Sequence, residues 1–360
     1  GGGSVAWLEA GGTLRVGPGS AGANPGPACY GLGGAEPTVT DADLVLGYLN
    51  PDFLAGGTLR LHPDLAREAI ARRIAEPLGM GPLEVAHGIH RVANANLIRA
   101  IRSISVERGR DPRDFALIAF GGSGPVHAAE LARELGMRRV VIPPHPGLFS
   151  AFGLLSARLE RHAVRTYLGP LAGLDPDQLG IVLEALEDEA RDEVWAAGGE
   201  EVTLARSVDL RYRKQVSELT LPLPDGALRR EDLDRLVEAF GVEHERIYGY
   251  RAAGAEVEMV ALRVTAQALG EGGWPVVGAK DASRTGGPTP GGERPVYFGP
   301  EAGSLPTPVL SRLALGRVPR PGPLIVEEYD ATAVVPPGFT ARLDAEGNLL
   351  IEGGAREEDP

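Results

Sequence analysis

A single cysteine among 360 residues, Cys29, leaves nothing to close an intramolecular disulfide. It argues for a reducing compartment, so a cytoplasmic location is expected. No apolar run approaches the roughly twenty residues that a membrane-crossing helix needs. No basic segment followed by an apolar one stands at the start, so no signal peptide is expected. Positive charge is in deficit: 36 Lys and Arg face 49 Asp and Glu, a net charge of −13. That balance works against duplex nucleic acid or an anionic membrane surface as main partner. Internal repeats, heptads and a Walker-type Gly-Lys-Ser/Thr loop are also missing. An initiator Met is missing too, and the chain opens on Gly1-Gly2-Gly3-Ser4. A flexible linker would read this way. The apolar Val5-Ala6-Trp7-Leu8 and the Gly11-Gly12 turn that follow suggest instead a domain entered part-way, so a fragment is expected.

What is present is ordinary for a folded chain of more than one domain, with 43% hydrophobic residues. Gly 50 and Pro 30 are both high, and apolar runs continue between them, so they read as tight turns. Residues 5–16 predict a hairpin. Residues 17–40 are crowded with Gly, Pro and small residues, and a stretch of that length without periodicity is usually functional. A helix follows from Asp41 to Leu49, with Thr40 or Asp41 able to cap it. Amphipathic spacing predicts helices over 63–78 and 82–108, the second opening on Pro82 and ending at Gly109. FALIAF (115–120) reads as a short strand buried on both faces. Helix 125–136, strand 139–142 and a short apolar helix come next. From residue 160 the composition turns acidic and alternating. It predicts a helix near 174–199, two antiparallel strands over 203–224, a helix over 229–249 and a long strand to about 270. Residues 270–292 read as a mobile Gly/Pro/Ser loop, and the tail as a small β-rich unit. The expected division is therefore 1–160 and 161–360.

The segment with most chemical content is Phe120-Gly121-Gly122-Ser123-Gly124-Pro125. Strand, glycine turn and helix follow in order. Amides at a helix N-terminus attract anions, and glycine lets a ribose or phosphate approach the backbone closely. A plain strand-to-helix connection also favours glycine, and the loop is neither a Walker A loop nor a dinucleotide fingerprint. Gly1, Gly2, Gly3 and Ser4 form a second glycine cluster before a hairpin. Two such loops are how the actin-like ATPase fold grips phosphate and adenosine.

Blocks in order along the chain carry a specific resemblance: GGGSVAW, VGPGSAGANPGPACYGLGGAEPTVTDADLVLGYL, RVANANLIRAIRSISVERGRDPRDFALIAFGGSGPVHA, PPHPGLFSAFGLLSA, RYRKQVSEL, FGVEHERIYGY and GPLIVEEYDATAVVPPGF. They resemble the hydantoinase A/oxoprolinase family. The resemblance implies an α/β chain: part of an actin-like (acetate kinase, heat-shock chaperone, actin) ATPase core over 1–160, then an α+β, β-rich C-terminal domain over 161–360. It implies the ATP-dependent subunit of a hydantoinase, N-methylhydantoinase or 5-oxoprolinase. ATP, with Mg²⁺, would phosphorylate a cyclic amide carbonyl, and a B-type (α) partner subunit would complete ring opening. The family's upstream Asp-Gly-Gly-Thr-type loop has no counterpart here, which points to a missing N-terminal half of the same polypeptide. The β subunit of an acetone carboxylase-type enzyme and a non-catalytic actin-like assembly module remain alternatives.

By that resemblance Gly1, Gly2, Gly3 and Ser4 fall on the phosphate side of the nucleotide. Gly121, Gly122, Ser123 and Gly124 fall on the adenosine side. Asp41, at a helix start, is the candidate for water-mediated Mg²⁺ or for positioning the attacking group, with an N-cap as the competing reading. Glu36 and Asp43 are weaker candidates. Asn94 and Asn96 need hydrogen-bond partners whether they touch nucleotide or protein. His87 and His90 share a helical face without a third ligand at a readable spacing, so no metal site is expected. His127, His145 and Cys29 read as packing or loop residues.

Overall fold

The computed structural model describes residues 3–52, 54–252, 254–269 and 291–353. It divides into two compact units. Unit 1 is Gly1–Val106, Arg110–Phe152 and Val276–Pro360, and unit 2 is Glu107–Gly109 with Gly153–Pro275. The fold is mixed α/β, with helices among four sheets.

Unit 1 begins with the expected hairpin, β1 (Ser4–Leu8) against β2 (Leu14–Ser20), antiparallel. Gly12 supplies the turn with φ 79°, a value most side chains avoid. The helix after the Gly-rich stretch, α1 (Val39–Val45), begins earlier than expected. Its N-cap is Thr38 rather than Thr40 or Asp41, with Asp41 at the third position closing a reciprocal capping box. Helical backbone then runs through α2 (Pro63–Ile70), a π turn over Ala71–Ala75 and α3 (Glu76–Leu78), close to the expected 63–78. Next comes α4 (Pro82–Ser105), opening on proline at its first turn. Its buried face (Val85, Ala86, Ile89, His90, Ala93, Asn94) recurs at helical spacing.

The strand expected over 115–120 is only β3 (Leu117–Ile118), and it is not buried on both faces. Phe115, Ile118 and Phe120 are all exposed. The reason is topological. β3 is the edge of a five-stranded sheet ordered β11-β14-β15-β4-β3 and pairs, in parallel, only with β4 (Arg139–Ile142). Between them runs α5 (Gly124–Leu135), ended by Gly136 in the left-handed region. The apolar helix α6 (Phe149–Ser156) follows.

Unit 2 is built on an antiparallel sheet ordered β5-β8-β6-β7. Its strands are β5 (Glu160–Pro170), β6 (Val202–Tyr212), β7 (Leu219–Pro222) and β8 (Val257–Ala268). Leu179, Leu183, Leu186, Ala190 and Val194 of α7 (Pro176–Ala196) belong to the same core as this sheet. So do Leu233, Leu236 and Phe240 of α8 (Arg230–Tyr248).

The tail departs from expectation. β9 (Glu293–Tyr297), β10 (Ser304–Ser311), α9 (Arg312–Leu315), β11 (Arg320–Pro321), β12 (Leu324–Glu327), β13 (Thr332–Val335), β14 (Phe339–Leu343) and β15 (Leu349–Gly353) do not make a unit of their own, nor do they join residues 161–269. They belong to unit 1. β15 pairs antiparallel with β4, Leu349 opposite Ile142, and so completes the sheet that β3 and β4 begin. β13-β12-β10-β9 form a second sheet in the same unit. By contact, the change from unit 1 to unit 2 falls between Phe152 and Gly153, and unit 1 resumes after Pro275. Residues 270–290 of the expected mobile loop lie outside the described residues.

Candidate functional site

Unit 1 holds the residues singled out in the sequence. Gly121 has φ 83°, and its amide donates to Pro146 O at 2.7 Å, tying the glycine loop to the turn at 145–148. Ser123 stands as N-cap of α5 without capping it through its side chain. Nothing lies within 4 Å of where a Cβ would stand at Gly121 or Gly124, so backbone there is open to a ligand. At Gly122 the first neighbour is Asp330 O, at 3.6 Å. The loop thus leads two glycines with free space at the Cβ position into the N-terminus of a three-turn helix, where amides can receive an anion. Of the other cluster, Gly1 and Gly2 lie outside the described residues. Gly3 O accepts from the Ala21 amide at 2.7 Å, and Ser4 pairs with Ser20 in the hairpin.

Asp41 is wholly buried, and its carboxylate is given to four donors. Oδ2 accepts from the Thr38 amide (2.8 Å), Thr38 Oγ1 (2.7 Å) and the Ala28 amide (3.3 Å). Oδ1 accepts from the Cys29 amide at 2.7 Å. The arrangement closes the helix cap and pins the Gly-rich loop to α1. Asp41 is thus not the N-cap itself but the third-position partner of the Thr38 cap, and its lone pairs face the protein's own donors rather than a water-mediated Mg²⁺. Cys29 is buried against it. Burial first, then the Asp41 charge, pushes its thiol pKa far up, so it is a poor nucleophile. Glu36 pairs with Arg73 at 2.7 Å on the surface.

Behind α1, three helices bring titratable groups together. His90 Nδ1 lies 2.7 Å from Asp43 Oδ1. His90 Nε2 lies 3.3 Å from Glu130 Oε2, close enough to attract but off line for a well-directed hydrogen bond. Asn94 Nδ2 donates to Glu130 Oε2 at 2.8 Å, and Asn94 Oδ1 faces His127 Nδ1 at 2.7 Å. The two imidazoles stack, centroids 4.6 Å apart and planes 15° apart. Their environments push them in opposite directions. Burial alone would depress His90, but hydrogen bonding and attraction to Asp43 and Glu130 outweigh it and raise its pKa to about 10. Burial dominates at His127 and lowers it to about 4. Burial would raise Glu130, but His90 and then Arg133 bring it down to about 2.

Asp43, His90 and His127 place ligand-type atoms within 4.8 Å of one another, so a triad that spacing along one helix could not reveal does exist. The His90 imidazolium stands between the Asp43 and Glu130 carboxylates and offsets part of their charge. Asn94 is thus structural, as is Asn96, whose Nδ2 donates to Val16 O of β2 at 3.1 Å. His145 sits in its turn with φ 50°, ψ 56°.

A cavity of about 620 Å³ opens beside this network. His87, Arg91, Asn94, Glu130, Arg133 and Phe298 line it, so both signs of charge meet a guest. His87, half-buried and edge-on to Tyr297, has its pKa lowered chiefly by burial. It therefore presents a neutral ring near pH 7.

Two family models match the chain: hydantoinase/oxoprolinase over residues 1–163, and the hydantoinase/oxoprolinase C-terminal domain over 176–350. The chain belongs to the hydantoinase/oxoprolinase family. It is 37% identical over 362 residues to caprolactamase subunit alpha of Pseudomonas jessenii, covering 98% of this chain and 52% of that one. It is 34% identical over 374 residues to the acetophenone carboxylase gamma subunit of Aromatoleum aromaticum, covering 98% and 50%. Among solved structures, ATP-dependent caprolactamase from P. jessenii superposes with a TM-score of 0.82 at 36% identity, covering 98% of this chain and 52% of that one. Nucleotide-free acetone carboxylase superposes with a TM-score of 0.70 at 25% identity, again covering 98% and 52%. The chain spans about half the length of these relatives. The family's C-terminal model crosses the boundary between the units, because β9 to β15 fold back onto unit 1.

Sequence reasoning missed Glu130, Arg312 and Asp330. The buried Arg312 guanidinium donates to Glu328 (2.6 and 2.7 Å) and to the carbonyls of Ile142, Pro143 and Gly347.

Proposed function

We propose that this chain is part of the ATP-using subunit of a cyclic-amide hydrolase of hydantoinase, N-methylhydantoinase or 5-oxoprolinase type. The observation that carries the reading is the open glycine loop Gly121–Gly124 at the start of α5. In this reading it takes the adenosine side of ATP in an actin-like core, and Gly3 and Ser4, with Gly1 and Gly2, approach the phosphates. ATP is a co-substrate: the amide oxygen takes its terminal phosphoryl group and ADP leaves. One water adds to the activated carbon and the ring C–N bond breaks, the nitrogen taking a proton and the carbon keeping the phosphate as an acyl phosphate. A second water then releases inorganic phosphate and the free carboxylate. Asp41 serves this site as a strut for the Gly-rich loop, and no step or Mg²⁺ contact is assigned to it. The dependence on ATP in the caprolactamase relative supports the nucleotide, and its being a named subunit supports a B-type (α) partner. The N-terminal half of the polypeptide supplies the remaining phosphate contacts, and the complex works in the cytoplasm.

The test is a substrate panel of hydantoins, 5-oxoproline, lactams and ketones, given to the complete subunit with its partner and read as ADP release. The expected result is ADP release matched mole for mole by ring-opened product. If the complete subunit shows no ATP binding by calorimetry with Mg²⁺ present, a non-catalytic assembly module replaces the enzyme reading. The acetone and acetophenone carboxylase relatives favour a second reading, a carboxylase subunit. Labelled bicarbonate fixed into a ketone, with no cyclic amide opened, would select it.

A further inference from the structure

Among the described residues of unit 1, one carboxyl group closed off from solvent has no hydrogen-bond partner. Both Asp330 oxygens are closed off from solvent and accept no hydrogen bond. A buried acceptor pair without a donor is costly, and such a group in a native fold calls for an explanation. Asp330 cannot easily turn away. It sits in the tight turn between β12 and β13, closed by Glu328 N to Ala331 O at 2.9 Å. Arg312 clamps Glu328 on one side of it, and the Tyr329 ring lies against Gly56 on the other.

That turn is pressed against the glycine loops. A Cβ at Gly147 would fall 2.7 Å from Asp330 Cβ and 2.9 Å from its Oδ2, so only glycine lets the carboxyl lie there. Asp330 O is the first atom met over Gly122, while the space over Gly121 and Gly124 is open. An unpartnered acceptor pair therefore borders the uncovered backbone at the start of α5.

We propose that Asp330 accepts hydrogen bonds from the ribose hydroxyls of the nucleotide that the glycine loop receives; this rests on the nucleotide reading above. Two acceptor oxygens on one rigid carbon match two adjacent hydroxyl donors, the use to which a carboxylate beside a glycine loop is put in dinucleotide-binding folds. A divalent cation fits less well. It needs several oxygen ligands, and the neighbouring carboxylates are taken: Glu328 by Arg312, Glu327 by Arg294 and Asn50. Entry of the sugar requires the 145–148 turn to shift. His145 heads that turn in left-handed backbone, which a residue other than glycine holds only under constraint from its surroundings.

The experiment is calorimetric titration of the complete subunit, in complex with its partner, using ATP, 2′,3′-dideoxy-ATP and ITP, on wild type, Asp330→Asn and Asp330→Ala. For wild type, removing both hydroxyls should weaken binding about 10- to 100-fold, the scale of lost hydrogen bonds to a charged group. Asp330→Ala should bind ATP about as weakly, and should no longer distinguish ATP from the dideoxy nucleotide. Asp330→Asn, which keeps one acceptor and the shape of the turn, should fall between. The proposal is overturned if Asp330→Ala and Asp330→Asn bind ATP as wild type does. It is also overturned if they lose ATP and dideoxy-ATP equally, or if ITP rather than the dideoxy compound removes the discrimination, which would put the base at Asp330. A wild type that binds none of the three overturns the nucleotide reading itself.

Discussion

Replacing Asp41 separates a structural from a chemical carboxylate. In Asp41→Ala three buried amides, those of Ala28, Cys29 and Thr38, lose their acceptor, and Thr38 loses its reciprocal cap. The 3.3 Å contact to Ala28 counts for little, while the 2.7 and 2.8 Å contacts to Cys29 and Thr38 are short and charge-assisted. Stranding a buried donor costs about 2 kcal/mol, so two of them give about 4 kcal/mol. That is a large share of the stability of an ordinary domain. Asp41→Asn keeps one oxygen and turns an NH₂ toward the remaining donors, for a loss of about 2 kcal/mol. Urea unfolding of the complete subunit gives the free energies. Hydrogen exchange gives the location: the amides of residues 28, 29 and 38 should lose protection while those of unit 2 keep it. The reasoning fails if Asp41→Ala leaves the midpoint and the three amides unchanged. It fails differently, in favour of a catalytic aspartate, if Asp41→Asn keeps full stability and protection yet abolishes ATP-dependent turnover.

Stability should peak near pH 6.5. His90, held at about 10 in the fold against an ordinary 6.5, stabilises fully below pH 6.5 and progressively less up to pH 10. His127, held at about 4, resists charging in the fold, so stability falls as pH drops from 6.5 through 4. Glu130, at about 2 against 4.5, adds a further loss between pH 4.5 and 2. Thermal melts across this range should show both limbs, and His90→Gln should flatten the alkaline one; an unchanged alkaline limb in that variant refutes the assignment. Arg312→Leu leaves Glu328 without its partner in a largely buried site and should cost about 3–5 kcal/mol in urea unfolding. A loss under about 0.5 kcal/mol, the level of an ordinary surface substitution, would show that the guanidinium is not the clamp described.

Legibility in the sequence followed the range of the interactions. The β1/β2 hairpin, α4 and the α5 boundaries could be read because each is set by neighbours a few residues away: a glycine turn, a proline start, a glycine stop. Even the cap of α1 is written locally, as Thr38-x-x-Asp41, although the reading placed it two or three residues late. What failed was non-local. FALIAF has the composition of a central strand, and only the pairing of β15 on the far side of β4 makes β3 an edge. The tail looked self-contained for the same reason, since a strand's sequence does not name its partner. His90 and His127 lie on different helices, and nothing in either segment foretells a stacked pair with opposed proton affinities.

The same distinction sorts the carboxylates of unit 1. Asp41 is satisfied by amides of its own cap and of the preceding loop, so it could be suspected from sequence. Asp43 and Glu130 are satisfied by a histidine from another helix, Glu327 and Glu328 by arginines from distant segments, and none of these pairs could. Each assignment removes a candidate for ligand chemistry, because a carboxylate given to a fixed internal donor has little left to offer a guest. Among the described residues, the buried carboxyl that remains without a donor is Asp330. It lies beside the glycine loop 121–124, where no atom stands within 4 Å of a Cβ position at Gly121 or Gly124. Sequence singled out the loop by its glycines and passed over the aspartate in EEYDATA, since its burial and lack of a partner exist only once β12 and β13 have folded back onto residues 121–147. Among the described acids of the unit's interior, internal donors hold Asp41, Asp43, Glu130, Glu327 and Glu328, and Asp330 keeps both oxygens to offer a ligand.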